Sequence, residues 1–325
     1  MPQVLGIQSN PNLSAFTRLL GPPVSGLVHM DPRVVPLVPV STMTGSFLEI
    51  GGGFGYAADP HGIAMALDME RPPVIDVSIS RTTGWSVGLQ GLGVALTAVQ
   101  RAALKGEGLS DPDRVCLAIL NRHYHFARER TLAALLFNTG TFATYTAALA
   151  AGVRWDTAGG DPVADAETAK ASIGLQSGDD SGIGVLLGFN AWKALRNNSV
   201  IRTYASRGSA APIVGPIPDA KIAEALGVDF VVVGKAGLNS AREGQTVTPA
   251  RLWGSYALFF RNQPTPIPET PQTCIARFGL EGYTEPSANS YDLPGGYKKQ
   301  TDLFQVDQFA VPLPRGGYLF STVAA

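Results

Sequence analysis

The chain has 325 residues, a formal net charge of −1 and only 16% charged residues. That length supports one large domain or two to three subdomains with an ample core, and the near-neutral balance excludes tight electrostatic capture of nucleic acid. Charged residues usually make up about a quarter of a chain; a deficit suits a surface covered by other subunits, although a large compact enzyme shares it. Cys116 and Cys274 stand far apart, too few for a zinc site by themselves, and read as buried or inert thiols. The start, MPQVLGIQSNPN, has neither the basic region nor the apolar core of a secretory signal. Residues 132–153 are interrupted by Asn138, Gly140 and several threonines, too polar to span a bilayer unaided, so no membrane partner is expected.

Taken in chain order, the first forty residues read as an extended arm. Pro22, Pro23, Pro32, Pro36 and Pro39 disfavour helix and inner strand, while Val34, Val35, Leu37, Val38 and Val40 supply apolar surface for a neighbour. Residues 42–82 carry two β-like runs, FLEI and PVIDVSIS, around a glycine-rich middle, the pattern of a long two-stranded excursion. At about 20 residues per side and roughly 3.3 Å each it reaches several tens of ångströms. Residues 91–105 are predicted helical.

The strongest helix signal follows: Asp111 as N-cap, Pro112 at the first helical position, and Asp113 at the positive end of the dipole. Val115, Ile119, Phe126, Ala133 and Phe137 share a face at helical spacing, with Arg122 and Arg130 continuing the row, and Gly140 marks the end. About 26 residues make roughly 39 Å at 1.5 Å per residue, a spine. From residue 155 helices and strands alternate: a helix over 161–172, a strand over 183–187, a helix in FNAWKALRN, a helix over 218–226 and a strand over 228–233. Strands are predicted over 252–260 and 274–280, and two more in 303–323, joined through Pro312, Pro314 and Gly316-Gly317.

The stretch SFLEIGGGFGYAA at 46–58 raises a nucleotide site, since Gly53 to Ala58 fits the loose dinucleotide pattern. It also looks like the first motif of S-adenosylmethionine-dependent methyltransferases, with Asp68 and Glu70 near the place of a ribose-binding acid. Such a site needs a helix directly after the turn. Asp59-Pro60-His61-Gly62 breaks that helix after one turn, and the remainder is too short for a crossover to a parallel strand. The flexible tip of a loop is the better account. VGKAG at 233–237 lacks the first glycine and the Ser or Thr of a P-loop. His123 and His125 point to different sides of a helix, no G-x-S-x-G elbow is present, and Asp161, Asp165 and Glu167 read as a cap and solvated first turn. No catalytic residue, cofactor or metal is expected.

An ordered run of motifs carries a resemblance. Trp155-Asp156 is followed by Asp161-Pro162-Val163-Ala164-Asp165-Ala166, then by GVLLGFNAWKALRNNSVI, in which Trp192, Leu195, Asn198 and Ile201 fit W-x-x-L-x-x-[NH]-x-x-[VI]. LGVDFVVVGKAGLN, ARLWGSYALFF with Trp253-Gly254, VVPLVPVSTMTGSF, HYHFARERTLAALLFN and the closing GGYLFSTVA complete the series. Together they resemble the major capsid proteins of tailed bacteriophages with the HK97 fold. The resemblance implies an α+β capsid fold with an N-terminal arm (1–41), an extended loop (42–88), a peripheral domain (89–152 and 266–310, spine helix about 112–137) and an axial domain (153–265 and 311–325).

It implies hexamers and pentamers closing into an icosahedral shell around double-stranded DNA, in a virion assembled in the host cytoplasm. Intersubunit contacts are expected at Val34 and Val38 on the arm and Phe47, Phe54 and Tyr56 on the loop. Arg114, Arg122, Arg128 and Arg130 either face DNA on the inner surface, weakly and non-specifically, or make surface and intersubunit ion pairs. A portal protein, a separate scaffolding protein and a decoration protein are the implied partners. Two departures stand out. No lysine precedes Lys105, so the isopeptide crosslink some members form from the extended loop is not available. An arm beginning near residue 1 leaves no room for a fused scaffolding domain. The alternatives are an encapsulin-like nanocompartment shell, which encloses protein, a methyltransferase, and a small α/β binding protein.

Overall fold

The computed structural model describes residues 13, 15, 26–50, 79–81, 84–106, 111–177, 181–207, 215–239, 245–246, 248–262, 266 and 273–325. The elements begin with β1 (Leu37–Val40), the short strands β2 (Leu48–Ile50) and β3 (Ile79–Arg81), the ten-residue β4 (Gly88–Thr97) and helix α1 (Ala98–Gly106). The 25-residue α2 (Pro112–Leu136), the single turn α3 (Thr139–Phe142) and β5 (Thr146–Ala148) follow. Then come α4 (Pro162–Ser177), β6 (Ile183–Gly188), α5 (Phe189–Asn197), α6 (Ser199–Ala205), α7 (Asp219–Leu226), β7 (Phe230–Gly234), β8 (Gly237–Asn239), β9 (Pro249–Arg251) and β10 (Ala257–Arg261). The chain closes with β11 (Ala276–Leu280), β12 (Ser287–Asp292), β13 (Lys298–Ala310) and β14 (Gly317–Ser321).

Two five-stranded sheets organise these elements. In the first, β13 is the hub: it pairs antiparallel with β4 from Lys298↔Thr97 to Asp307↔Gly88, with β12, and with β11. β1 adds parallel to β11 at its edge, from Leu37↔Arg277 to Val40↔Leu280. The second sheet runs β5-β14-β10-β6-β7. All six residues of β6 are buried, because both faces of that sheet are covered. Val185 and Leu187 join Trp155, Ile173, Leu195 and Ile222 on the side of α4 to α7, whereas Leu186 joins Leu132 and Leu136 of α2, Trp253 and Phe260. A strand covered on both faces reads as a continuous apolar run, as IGVLLG does.

The motif residues cap and tie the helices by hydrogen bonds. Trp155 is fully buried and donates its indole N–H to Asp165 Oδ2 at 2.7 Å. Asp161 Oδ1 accepts from Val163 N and Ala164 N, capping α4. Buried Asn198 caps α6 through Val200 N and Ile201 N while its amide donates to the Trp155 and Gly160 carbonyls. Trp192 donates to Asp219 Oδ1 at 2.7 Å.

Three sequence expectations are corrected. Residues 91–97 are strand, not helix, because pairing along β13 claims them; helix begins only at Ala98, where Thr97 Oγ1 accepts from Gln100 N. The proline-rich run 34–40 does not lie bare for a neighbour: it forms β1 inside this chain, on a sheet edge where Pro39 is tolerated. Finally, the row on α2 turns inward only in part. Ala133 is buried and Phe126 and Phe137 are half-buried, but Ile119 is 49% exposed, and the inward face is centred on Leu117, Leu120, Tyr124, Leu132 and Leu136 together with Asn121, His125, Arg128 and Glu129. Those polar groups are buried because other elements supply their partners, which periodicity along one helix cannot register.

Candidate assembly surfaces

The arm is rooted on α2 by one carboxylate. Glu129, fully buried, accepts Val28 N at 2.9 Å and the Trp253 indole N–H at 2.7 Å on Oε1, and His29 N at 3.0 Å and His29 Nδ1 at 2.7 Å on Oε2. A buried carboxylate is tolerated when its lone pairs are filled, as here by four donors from two segments, the arm at residues 28–29 and the chain at Trp253. His29 Nε2 lies 3.0 Å from His125 Nδ1. Burial, reinforced by the neighbouring His29 and by the positive charges of Arg128 and Arg277, pushes the His125 imidazole down to about 4, so at neutral pH it is uncharged. Farther along the arm, Asn262 donates its amide to Val34 O at 2.6 Å and to Arg33 O at 3.2 Å.

The excursion is rooted by aromatic packing. β2 and β3 pair antiparallel, so the glycine-rich stretch beyond them joins an antiparallel pair and not the parallel strands of a dinucleotide fold. Beneath them, the Trp85 and Phe278 rings stack with centroids 5.7 Å apart and planes 3° from parallel, and Phe47 packs on both. Trp85 O accepts from Gly45 N, Met43 O accepts from Val87 N, and Gln308 holds Ser86 N at 2.7 Å. The two chains cross so closely that a Cβ on Gly84 would lie 1.5 Å from the Gly45 carbonyl oxygen; only glycine fits.

The basic residues of α2 separate into two groups. Arg114, Arg122 and Arg130 are exposed, Arg114 pairing with Asp111 at 3.5 Å. Both acids of the helix, Asp113 and Glu129, point inward, so the helix itself puts only basic charge on its outer face, met at its start by the N-cap Asp111. Arg128 departs from the expectation: it is buried, ion-paired with fully buried Asp307 and packed 4.1 Å from the Phe309 ring centroid. Burial outweighs the pull of Arg128 and Arg277 and raises the Asp307 carboxyl above its usual range.

Val34, Val38 and Phe47 are likewise buried in this chain's own core, where they anchor the roots of arm and loop. Phe54 and Tyr56 lie outside the described residues. Sequence reasoning missed Glu129, His125, Asn262 and Asp307. The signal available for Glu129 was its position one turn from Leu132 and two from Leu136 on the truly apolar face. Both cysteines are buried and free, and burial pushes each thiol up. Among the described residues no group of three or more metal-type ligands occurs, and no helix is long and apolar enough to cross a membrane.

No family model and no curated protein matches the sequence. Solved structures do. A phage-related protein from Bordetella bronchiseptica RB50 superposes with a TM-score of 0.67 at 19% identity, covering 97% of each chain. The capsid of cyanophage P-SCSP1u gives 0.52 at 11% identity, over 88% of this chain and 85% of that one. The capsid of Myoviridae phage XM1 gives 0.51 at 13%, over 91% of each. The chain has the α+β HK97-like capsid fold.

Proposed function

We propose that this chain is a major capsid protein that assembles into hexamers and pentamers of an icosahedral shell enclosing double-stranded DNA. The observation that carries the reading is the pair of buried roots on a capsid fold. Glu129 holds Val28 and His29 of the arm, and the Trp85–Phe278 stack holds the base of the loop. Each intersubunit contact made by such segments is weak, and closure makes the whole cooperative. Phe54 and Tyr56 belong to the part of the loop that would meet a neighbour, whereas Val34, Val38 and Phe47 act by holding the roots. The basic outer face of α2, with Arg114, Arg122 and Arg130, is the surface offered to DNA or to carboxylates of adjoining subunits.

In this role the chain works in the virion after assembly in the host cytoplasm. Its partners are a portal protein, a separate scaffolding protein, a decoration protein and its own copies, and it needs no cofactor and performs no catalysis. Negative-stain microscopy with sedimentation velocity tests the reading. Closed shells, or rings of hexamer and pentamer size, are expected. A monomer that binds S-adenosylmethionine would overturn it, and shells that copurify with protein in place of DNA would make the chain a nanocompartment shell.

A further inference from the structure

We propose that the groove between α1 and the β12–β13 turn binds nucleic-acid phosphates, with Tyr297 stacking on an unpaired base. The groove has a volume of about 300 Å³ and is lined by Arg101, Lys105, Lys298, Lys299, Asp292 and Tyr297. Arg101 and Lys105 are one helical turn apart and share a face of α1, and Lys298 and Lys299 open β13 on the other wall.

The walls are fixed before any ligand arrives. Ala98 N donates to Tyr297 O at 3.1 Å, tying the turn to the start of α1. Leu293 N donates to Lys298 O and Gly296 N to Leu293 O, with Gly295 and Gly296 at positive φ. Underneath, Asp113 holds Arg101 Nη1 at 2.6 Å and Lys299 Nζ at 2.9 Å. Burial alone would raise that carboxyl, but the two hydrogen bonds outweigh it and keep it below the usual range. Four cations therefore face two carboxylates, Asp113 and Asp292. Lys105 and Lys298 are exposed, with no ion pair among the described residues.

A phosphate chain suits this arrangement better than a carboxylate-bearing peptide because of Tyr297. It is 81% exposed at the lip. A bare aromatic among cations is the combination that holds single-stranded nucleic acid, the cations following the backbone and the ring taking a base. The overall charge of −1 keeps such binding weak and salt-dependent.

The proposal goes beyond the capsid reading above: the cations would meet phosphates of double- or single-stranded nucleic acid alike, and the Tyr297 ring adds a preference for unpaired bases that a double-stranded cargo does not require. It is tested on full-length chain kept below its assembly concentration, with fluorescence anisotropy of a labelled oligonucleotide, single-stranded and duplex, across a salt series. Lys105→Glu with Lys298→Glu is expected to weaken both by about tenfold or more. It should also flatten the salt slope for the single strand by roughly 1.4, since each lost contact removes about 0.7. Tyr297→Ala should weaken the single strand severalfold while leaving the duplex and the salt slope unchanged. The charge-matched pair Arg207→Glu in the turn after α6 with Lys221→Glu on α7, beside the other sheet, should change neither. Equal binding by the groove variant and the parent overturns the proposal. So does loss of binding only on Arg122→Glu with Arg130→Glu, or a groove variant that loses affinity for poly-glutamate while keeping it for DNA. Particle formation, read separately by microscopy, reports on the capsid reading and not on this groove.

Discussion

Removing the carboxylate of Glu129 should loosen the arm and destabilise the subunit together. In Glu129→Ala, Val28 N, His29 N, His29 Nδ1 and the Trp253 indole lose their shared acceptor within a site that excludes solvent. Each orphaned buried donor costs about 1–3 kcal/mol. Water entering the vacated space serves some of them, so the expected total is that of a broken buried charge network, about 3–5 kcal/mol. With unfolding entropy near 2.1 cal/mol/K per residue over 325 residues, that lowers the melting temperature by about 4–7 °C. Glu129→Gln keeps the shape and one oxygen but turns an amide N–H toward two donors, and should cost roughly half as much. Calorimetry of the unassembled subunit gives the stability, and hydrogen exchange at Val28 and His29 reports the arm. A Glu129→Ala subunit within about 0.5 kcal/mol of the parent, or unchanged exchange at those two amides, would refute the reasoning.

Four further outcomes follow from the same contacts. The unfolded imidazole of His125 titrates near 6.5 and the folded one near 4, so the unfolded chain binds more protons between those values. Stability from this group is complete above about pH 6.5 and is lost as pH falls to about 4, roughly 3 kcal/mol in all; urea unfolding of His125→Gln should lack that slope, and parallel pH profiles would refute it. Arg128→Ala, which strips Asp307 of its close partner, should cost about 3–5 kcal/mol in denaturant unfolding, and Arg130→Ala on the outer face less than about 0.5. Trp85→Ala should lower subunit stability by about 3–5 kcal/mol and deplete closed shells in micrographs. Gly188→Ala places a Cβ 2.0 Å from the Gly254 carbonyl oxygen and should cost at least about 2 kcal/mol, seen as loss of soluble protein.

Where local chemistry sufficed, the sequence reading met the structure closely. Asp111, Pro112 and Asp113 announced α2, whose Asp111 side chain does accept from Asp113 N, and IGVLLG followed by FNAWKALRN became β6 and α5. The tryptophans of the motif series proved to be indoles with carboxylate partners, buried Trp155 with Asp165 and Trp253 with Glu129, half-buried Trp192 with Asp219. Where a partner came from far along the chain, the reading failed. Gly88–Thr97 became strand because β13 pairs with it across some two hundred residues. Arg128 was read as surface because nothing near it in sequence announces Asp307, which is 179 residues away.

Caps, proline-broken runs, apolar strands and the order of motifs were set by interactions within a few residues, and these the sequence determined by itself. The tertiary structure decided which face of α2 turns inward, that the proline-rich run is a strand of this chain's own sheet, and that one glutamate fastens the arm. Those outcomes depend on buried polar groups that are affordable only when a distant donor or acceptor arrives to satisfy them, and the identity of that distant group is written in the fold alone.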